Sequence, residues 1–317
     1  MRHWPWIVVW GFSLPLRSTH DILQSQSLPT ADAYDLPASA KRFADGGQYR
    51  IEIPSCEGPK ALQAVIAEAS SRAVPIHRVS QGSGIMLQTD TEIAEMLGLG
   101  QELGIEVCLF VGPRANWDTG SQAASSGGRV IGSSLRGADQ LAYGIEDVLH
   151  GASLGLRSIL VADLGQLQVL GRMKQAGDLP ADFVLKVSVT LAAANPATAR
   201  LLEDLGATSI NLPVDLSLPQ IAAIRQSIDA AIDFYVESPD DFGGSVRHYE
   251  TAALVRVAAP IYLKYGLRNS PGLYPSGQHL ESTVVALSRE RVRRAAISLA
   301  LLKRHMPDAI PSPMLRT

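Results

Sequence analysis

Apolar positions between Tyr49 and Gly266 fall into eight short runs separated by longer stretches of helical spacing. The runs are 49–55, 76–80, 105–111, 158–163, 183–189, 209–213, 233–237 and 261–265. Segments 61–73, 138–152 and 164–176 repeat apolar residues every three or four positions, the period of an amphipathic helix. Asn195-Pro196 and Ser217-Leu218-Pro219 read as helix starts, and Gly104 and Gly206 as helix stops. A closing helix is predicted over 288–304, with Arg289, Arg291, Arg293 and Arg294 on its solvated face. No run joins the next through a hairpin-length turn, so the strands are predicted parallel, linked by crossovers. Eight such units predict an α/β fold: a single-domain (β/α)8 TIM barrel over 49–317 with an N-terminal extension at 1–48. An open doubly wound sheet is the competing architecture.

Two segments depart from the pattern. Trp4 to Leu16 is apolar between Arg2 and Arg17, but Pro5 and Pro15 interrupt it and no small-x-small cleavage site follows. It is shorter than the roughly 20 residues a membrane-spanning helix needs. It reads as a leader or a segment packed on the barrel, with a secretory signal as the lesser alternative. Residues 17–48 read as an irregular lead-in across the bottom of the barrel. Residues 113–137, rich in Gly and Ser with Trp117 and Arg129 inside, read as a lid after the third strand, with plain disorder as the alternative. Neither a basic stripe nor an RNA-binding signature occurs, so nucleic acid is not an expected partner, and a small-molecule substrate is. With two cysteines, Cys56 and Cys108, the chain lacks a disulfide framework, and the cytoplasm is the default location.

Strands buried on both faces should be almost wholly apolar. Here polar residues recur at their middles and carboxyl ends: Glu52, Arg78, Asp163, Lys186, Asn211, Glu237 and Lys264. In a closed barrel such positions converge on the end where barrel enzymes work. Glu52, Lys186, Glu237, Lys264 and Asp163 are the candidate catalytic residues. A lysine pressed by a second cation loses its proton more easily and can form a Schiff base or act as a base. Simple ion pairing with Glu52 or Glu237, or binding of an anion, is the favoured reading of either lysine taken alone, and a self-satisfied ion network is the lesser alternative for the whole set.

Candidate substrate-binding groups are Arg78, Asn211, Gly243, Gly244, Arg247 and Arg268. The Gly243-Gly244-Ser245 turn ahead of a helix offers backbone amides to an anion, with Arg247 as a charged fork; an ordinary turn is the alternative. His248 lies in the same loop. Asp163, Asp240 and Glu237 offer oxygen ligands to a divalent metal, whereas no spacing supports zinc. No other cofactor is evident. Cys56 follows the first strand, where a nucleophile can sit, but no histidine pairs with it in the sequence, so it reads as inert.

The words Leu160-Val161-Ala162-Asp163-Leu164-Gly165-Gln166-Leu167, Leu185-Lys186-Val187-Ser188-Val189, Asn195-Pro196, Leu205-Gly206-Ala207-Thr208-Ser209-Ile210-Asn211 and Leu216-Ser217-Leu218-Pro219-Gln220-Ile221 occur in an order that resembles the peptidase U32 family, the collagenase-like proteases. The resemblance spans about residues 140–228 and implies a barrel with hydrolase chemistry. The family's cysteines after the seventh strand are replaced by Phe234-Tyr235-Val236-Glu237-Ser238-Pro239. The four-cysteine iron–sulfur cluster of its hydroxylase members is therefore not expected, and no catalytic residue transfers. The expected activity is a hydrolase acting by acid–base chemistry on a small anionic or polar substrate. A lyase or aldolase-type barrel using a lysine, a non-catalytic metabolite-binding barrel, and a structural barrel with no mouth pocket above about 300 Å³ are the alternatives.

Overall fold

The structure is a computed structural model that describes residues 17–117, 120–126, 128 and 131–314. Segment 4–16 and Arg129 lie outside the described residues. Strands β1 (Tyr49–Pro54), β2 (Arg78–Gln81), β3 (Glu106–Phe110), β4 (Ser158–Val161), β5 (Val184–Val187), β6 (Ser209–Asn211), β7 (Ala231–Glu237) and β8 (Ile261–Tyr265) form a closed parallel barrel in chain order. The β1–β8 ladder, Tyr49 to Glu52 against Ile261 to Lys264, removes the open-sheet alternative. The helices are α1 (Thr19–Ser25), α2 (Pro59–Arg72), α3 (Asp90–Leu103), α4 (Gly137–Ser153), α5 (Leu164–Ala176), α6 (Pro196–Asp204), α7 (Leu218–Ser227), α8 (Thr251–Ala258) and α9 (Glu281–His305).

Local chemistry sets the helix ends. Thr89 and Glu92 form a capping box on α3, and Gly104 ends it in the left-handed conformation at φ 65°. Asn195 caps α6 by accepting from the Thr198 amide, with Pro196 in the first turn. The lead-in is not wholly irregular: Ser18 accepts from the Asp21 amide and starts α1.

The strands have two unlike faces, because side chains alternate at every residue. Ile51, Ile53, Val79, Leu109, Ile159, Val161, Leu185, Val187, Ile210, Ile232, Phe234 and Leu263 are fully buried under the helices. Each such side chain contributes about 1.5–3 kcal/mol by leaving water. The opposite face lines the interior and is polar almost throughout.

Ala33 is tied to the first turn of α7, and residues 39–48 cross the N-terminal end of the barrel. The Ser39 amide donates to Arg256 O at 2.8 Å, and the Gln48 amide to Ile310 O at 2.7 Å. Phe43 packs edge-on against Tyr262, and the Arg50 guanidinium sits 4.2 Å over the Phe43 ring. In the described part of segment 113–137, Arg114 is stacked between Phe110 and Trp117 at 3.4 and 4.0 Å and donates to Gly82 O at 2.6 Å. Among the described residues, no helix is long and apolar enough to cross a membrane.

His77 faces away from the interior and ties the C-terminal tail to β1. Its Nδ1 accepts from the Ile51 amide at 3.0 Å, and its Nε2 donates to Ser312 O at 2.9 Å. Burial lowers its pKa, so the folded state holds it neutral. An unfolded histidine titrates near about 6.5, so on acidification the unfolded chain takes up the proton first. Stability from this site is therefore complete above that pH and is lost as pH falls through the lower folded-state value. Gln at position 77 accepts and donates in the same way without titrating. Urea unfolding at about pH 7.5 and about pH 5 should show wild type losing more stability than His77→Gln; equal losses would contradict this assignment.

Candidate functional site

Alternation along the strands turns Glu52, Arg78, Glu106, Lys186, Asp233 and Lys264 inward, and the ladder sets Glu52 beside both Arg78 and Lys264. They form one continuous network. Arg78 Nη1 donates to Asp233 Oδ1 at 2.9 Å and to Glu52 Oε2 at 3.3 Å, and its Nε donates to Glu106 Oε1 at 2.8 Å. The Arg78 guanidinium also lies 3.5 Å from the Tyr262 ring centroid. Lys186 Nζ donates to Glu52 and, at 3.0 Å, to Ser80 Oγ, which itself donates to Glu52 at 2.6 Å. Lys264 Nζ donates to Asn211 Oδ1, lies 3.5 Å from Glu52 and sits 4.2 Å over the Tyr235 ring. Ser209 donates to Asp233, Ser158 to Glu106, and Asn211 Nδ2 to Val187 O.

Glu52, Lys186 and Asp233 are fully buried. Burial raises the Glu52 pKa, but Lys186, Lys264 and Arg78 outweigh it and hold the carboxylate ionised, well below the usual range. Asp233 shifts the other way, raised by burial and by the neighbouring Glu52 charge in spite of Lys186 and Arg78. Three carboxylates face three cations, so the interior is electrically closed without a ligand.

The structure thus brings together Glu52, Arg78, Lys186, Asn211 and Lys264, but below the mouth, inside the barrel. Arg78 and Asn211 spend their polar atoms on the network and do not line the mouth cleft. The other candidates lie elsewhere. Asp163 falls on the outer side of β4 and caps α5, accepting from the Gln166 and Leu135 amides at 2.8 and 3.0 Å. The ladder shifts register between Tyr235 and Glu237. That irregularity turns Glu237 away from the interior toward His248 and α9. Glu237 Oε2 meets His248 Nε2 at 3.0 Å, and His248 Nδ1 meets Ser298 Oγ at 2.6 Å. This has the order of a Ser–His–Glu relay, but Ser298 is wholly buried, so no substrate carbonyl reaches its oxygen.

The anion turn is also occupied. The amides of Gly243, Gly244 and Ser245 donate to Asp240 O, Pro239 O and Ser238 Oγ. Arg247 donates to Val214 O at 2.9 Å, to Leu216 O at 2.7 Å and to Glu250, stapling the loop after β6 to that after β7. Arg268 is exposed, 3.7 Å from Asp240. Asp163, Asp240 and Glu237 are not gathered: among the described residues, no group of three or more His, Cys, Asp or Glu could hold a metal ion. Cys56 and Cys108 are buried, and burial pushes both thiols up, Cys108 to about 11.

A cleft of ≈ 130 Å³, open to solvent, lies at the carboxyl ends of β1, β7 and β8, lined by Ser55, Tyr235, Asp240, Asp241, Phe242, Leu273, Tyr274 and Arg291 among others. Tyr235 joins it to the interior, stacking on Phe242 at 6.2 Å on one side and on the Lys264 ammonium on the other. Burial raises the phenol pKa of Tyr235 and Tyr274, which keeps both protonated as donors. At ≈ 130 Å³ the cleft stays below about 300 Å³, so the structural-barrel alternative stands beside the others. Arg291 was expected on a solvated face; it is 3% exposed. Val284, Ser288, Arg291, Ala295 and Ser298 fall on one buried stripe of α9 at helical spacing, and that period was the available signal. Asp233, Glu106, Tyr235 and Tyr274 were likewise missed.

Residues 136–238, from α4 to the end of β7, match the sequence profile of Peptidase family U32. No curated protein matches the chain. Among solved structures, one described as the copper homeostasis protein CutC from Streptococcus agalactiae is 14% identical, covering 68% of this chain and 98% of its own, with a TM-score of 0.47. The U32 peptidase Mk0906 is 16% identical, covering 73% of this chain and 97% of its own, with a TM-score of 0.41. A native KDPGal structure is 12% identical, covering 83% and 98%, with a TM-score of 0.47.

Arg78 is the cation on which three carboxylates converge. Arg78→Met should cost about 3–5 kcal/mol in urea unfolding, the usual penalty for stranding buried charge. A loss no larger than that of the exposed change Lys303→Met would show that water already serves those carboxylates.

Proposed function

We propose that the protein is a barrel enzyme that turns over a small anionic or polar molecule in the cleft at the carboxyl ends of β1, β7 and β8. The observation carrying this reading is Tyr235, a protonated phenol that forms part of the cleft and rests on the Lys264 ammonium. In this reading Tyr235 meets the substrate and exchanges a proton with it. Lys186 and Arg291 act against burial and favour the phenolate that forms when the proton leaves, while Lys264 holds the ring from below. Glu52 and Lys186 are positioning residues that fix Lys264 from below, and Arg268 contributes charge at the rim. The match of residues 136–238 to a peptidase family favours hydrolysis. Lysine-based lyase chemistry is the second enzymatic reading.

A non-catalytic binding barrel has one observation in its favour: the six interior charges neutralise one another, so no substrate is needed to complete them. It needs the cleft but not the phenol.

The test is a metabolite screen by thermal shift, followed by kinetics on any hit that is consumed. Tyr235→Phe should lower kcat by roughly 10²- to 10⁴-fold with KM little changed, the scale of one general acid–base group. Borohydride trapping with a carbonyl hit separates the two chemistries: a mass adduct on Lys264 supports the lyase, and turnover without one supports the hydrolase. A ligand that binds tightly and is never consumed leaves the binding barrel.

A further inference from the structure

Arg291 reaches the cleft from α9 and is 3% exposed. Its Nη1 makes one long contact, 3.4 Å, to Ser55 O, and its Nε has no hydrogen-bond partner. It is in no ion pair: among the described residues no carboxylate oxygen lies within 4.0 Å of its guanidinium. Glu57, which exerts the main carboxylate field on it, is bonded instead to the Gly82 and Ser83 amides and Ser83 Oγ. A buried cation is ordinarily paired, because its desolvation costs several kcal/mol. The contrast with Arg78, which has three carboxylates, is sharp.

The surroundings of Arg291 are those of an anion's far wall. Tyr274 OH and Ser55 Oγ meet at 2.5 Å beside the cleft, and both are hydroxyls able to donate. Ser55 holds φ 57°, a left-handed backbone that a non-glycine residue adopts at a cost, and such strain collects at ligand sites. The remaining walls include Phe242, Leu273 and Pro54, which suit an apolar body attached to the charged end.

Charge sets the class of anion. Arg291 neutralises one negative charge and Arg268 at the rim is taken up by Asp240, while Asp241 lines the same cleft and Glu57 lies behind it. A dianionic phosphate would bring surplus negative charge toward these carboxylates; a carboxylate would not. We propose that Arg291 anchors the carboxylate of a monoanionic ligand with an apolar body, and that Tyr274 and Ser55 complete its hydrogen bonds. The inference rests on the cleft reading above and adds the ligand's charge, its anchor and its orientation.

Isothermal titration of the full-length protein with benzoate, and separately with inorganic phosphate, tests this. Benzoate should saturate one site and phosphate should not. Arg291→Gln should weaken benzoate at least about tenfold, the scale of losing a hydrogen bond between two charged groups. Arg291→Lys, which keeps the charge but not the planar fork, should lie between them and serves if the Gln variant fails to fold. Saturation by phosphate alone, no saturation by benzoate, or a folded Arg291 variant that binds like wild type overturns the proposal. Phe242→Ala separates this failure from that of the cleft itself. Benzoate binding weakened by Phe242→Ala but not by either Arg291 variant removes the anchor and keeps the cleft. Benzoate binding indifferent to all three changes removes both.

Discussion

Six ionisable side chains share the barrel interior, five of them almost wholly buried and Glu106 partly open to solvent. Glu52, Glu106 and Asp233 face Arg78, Lys186 and Lys264, and each contact supplies a counter-charge that the dry interior otherwise lacks. The cost of burying these groups is met only when all are present together, because attraction in a low dielectric offsets desolvation only with near-complete pairing. Closure of β8 onto β1 brings Lys264 to Glu52; an open sheet would keep Glu52 beside Arg78 but part it from Lys264. The apolar outer faces of the strands contribute most of the burial, and the inner network is complete only in the closed arrangement.

The same closure restricts where chemistry can occur. Groups committed to one another at the barrel's middle are not available to a substrate, and the proposed site accordingly lies in the layer above them. There the network meets the cleft through a single stack of Lys264, Tyr235 and Phe242. The cleft is asymmetric: a lone buried guanidinium on the α9 side, carboxylates on the loop after β7, and two protonated phenols. That asymmetry can orient a small ligand without help from the interior.

The fold was largely legible in the sequence because eight apolar runs and seven intervening helical patterns admit few parallel architectures. Membership of the network was only partly legible. Attention to polar residues at strand middles and carboxyl ends found Lys186, Lys264 and Asn211 but passed over Asp233 and Glu106, which lie at the start of their runs; alternation at every second residue would have gathered them. Glu237 was misplaced because a register shift between Tyr235 and Glu237 has no signature in a single run of apolar letters. Gly243 and Gly244 looked like free amide donors, but a turn's internal hydrogen bonds depend on the path of the chain, not on composition. Arg291 was obscured by three neighbouring arginines, although the period of α9 aligns it with Val284, Ser288 and Ala295.

A double-mutant cycle on Glu52 and Lys186, followed by urea unfolding, bears most directly on whether the interior charges stabilise the fold as one unit. Glu52→Gln and Lys186→Met each strand a partner. Together they remove both charges, so the double variant should be less destabilised than the sum of the singles by more than about 1 kcal/mol. Additivity within about 0.5 kcal/mol, the behaviour of independent sites, would mean that each group is solvated on its own and that the closed network does not hold the barrel.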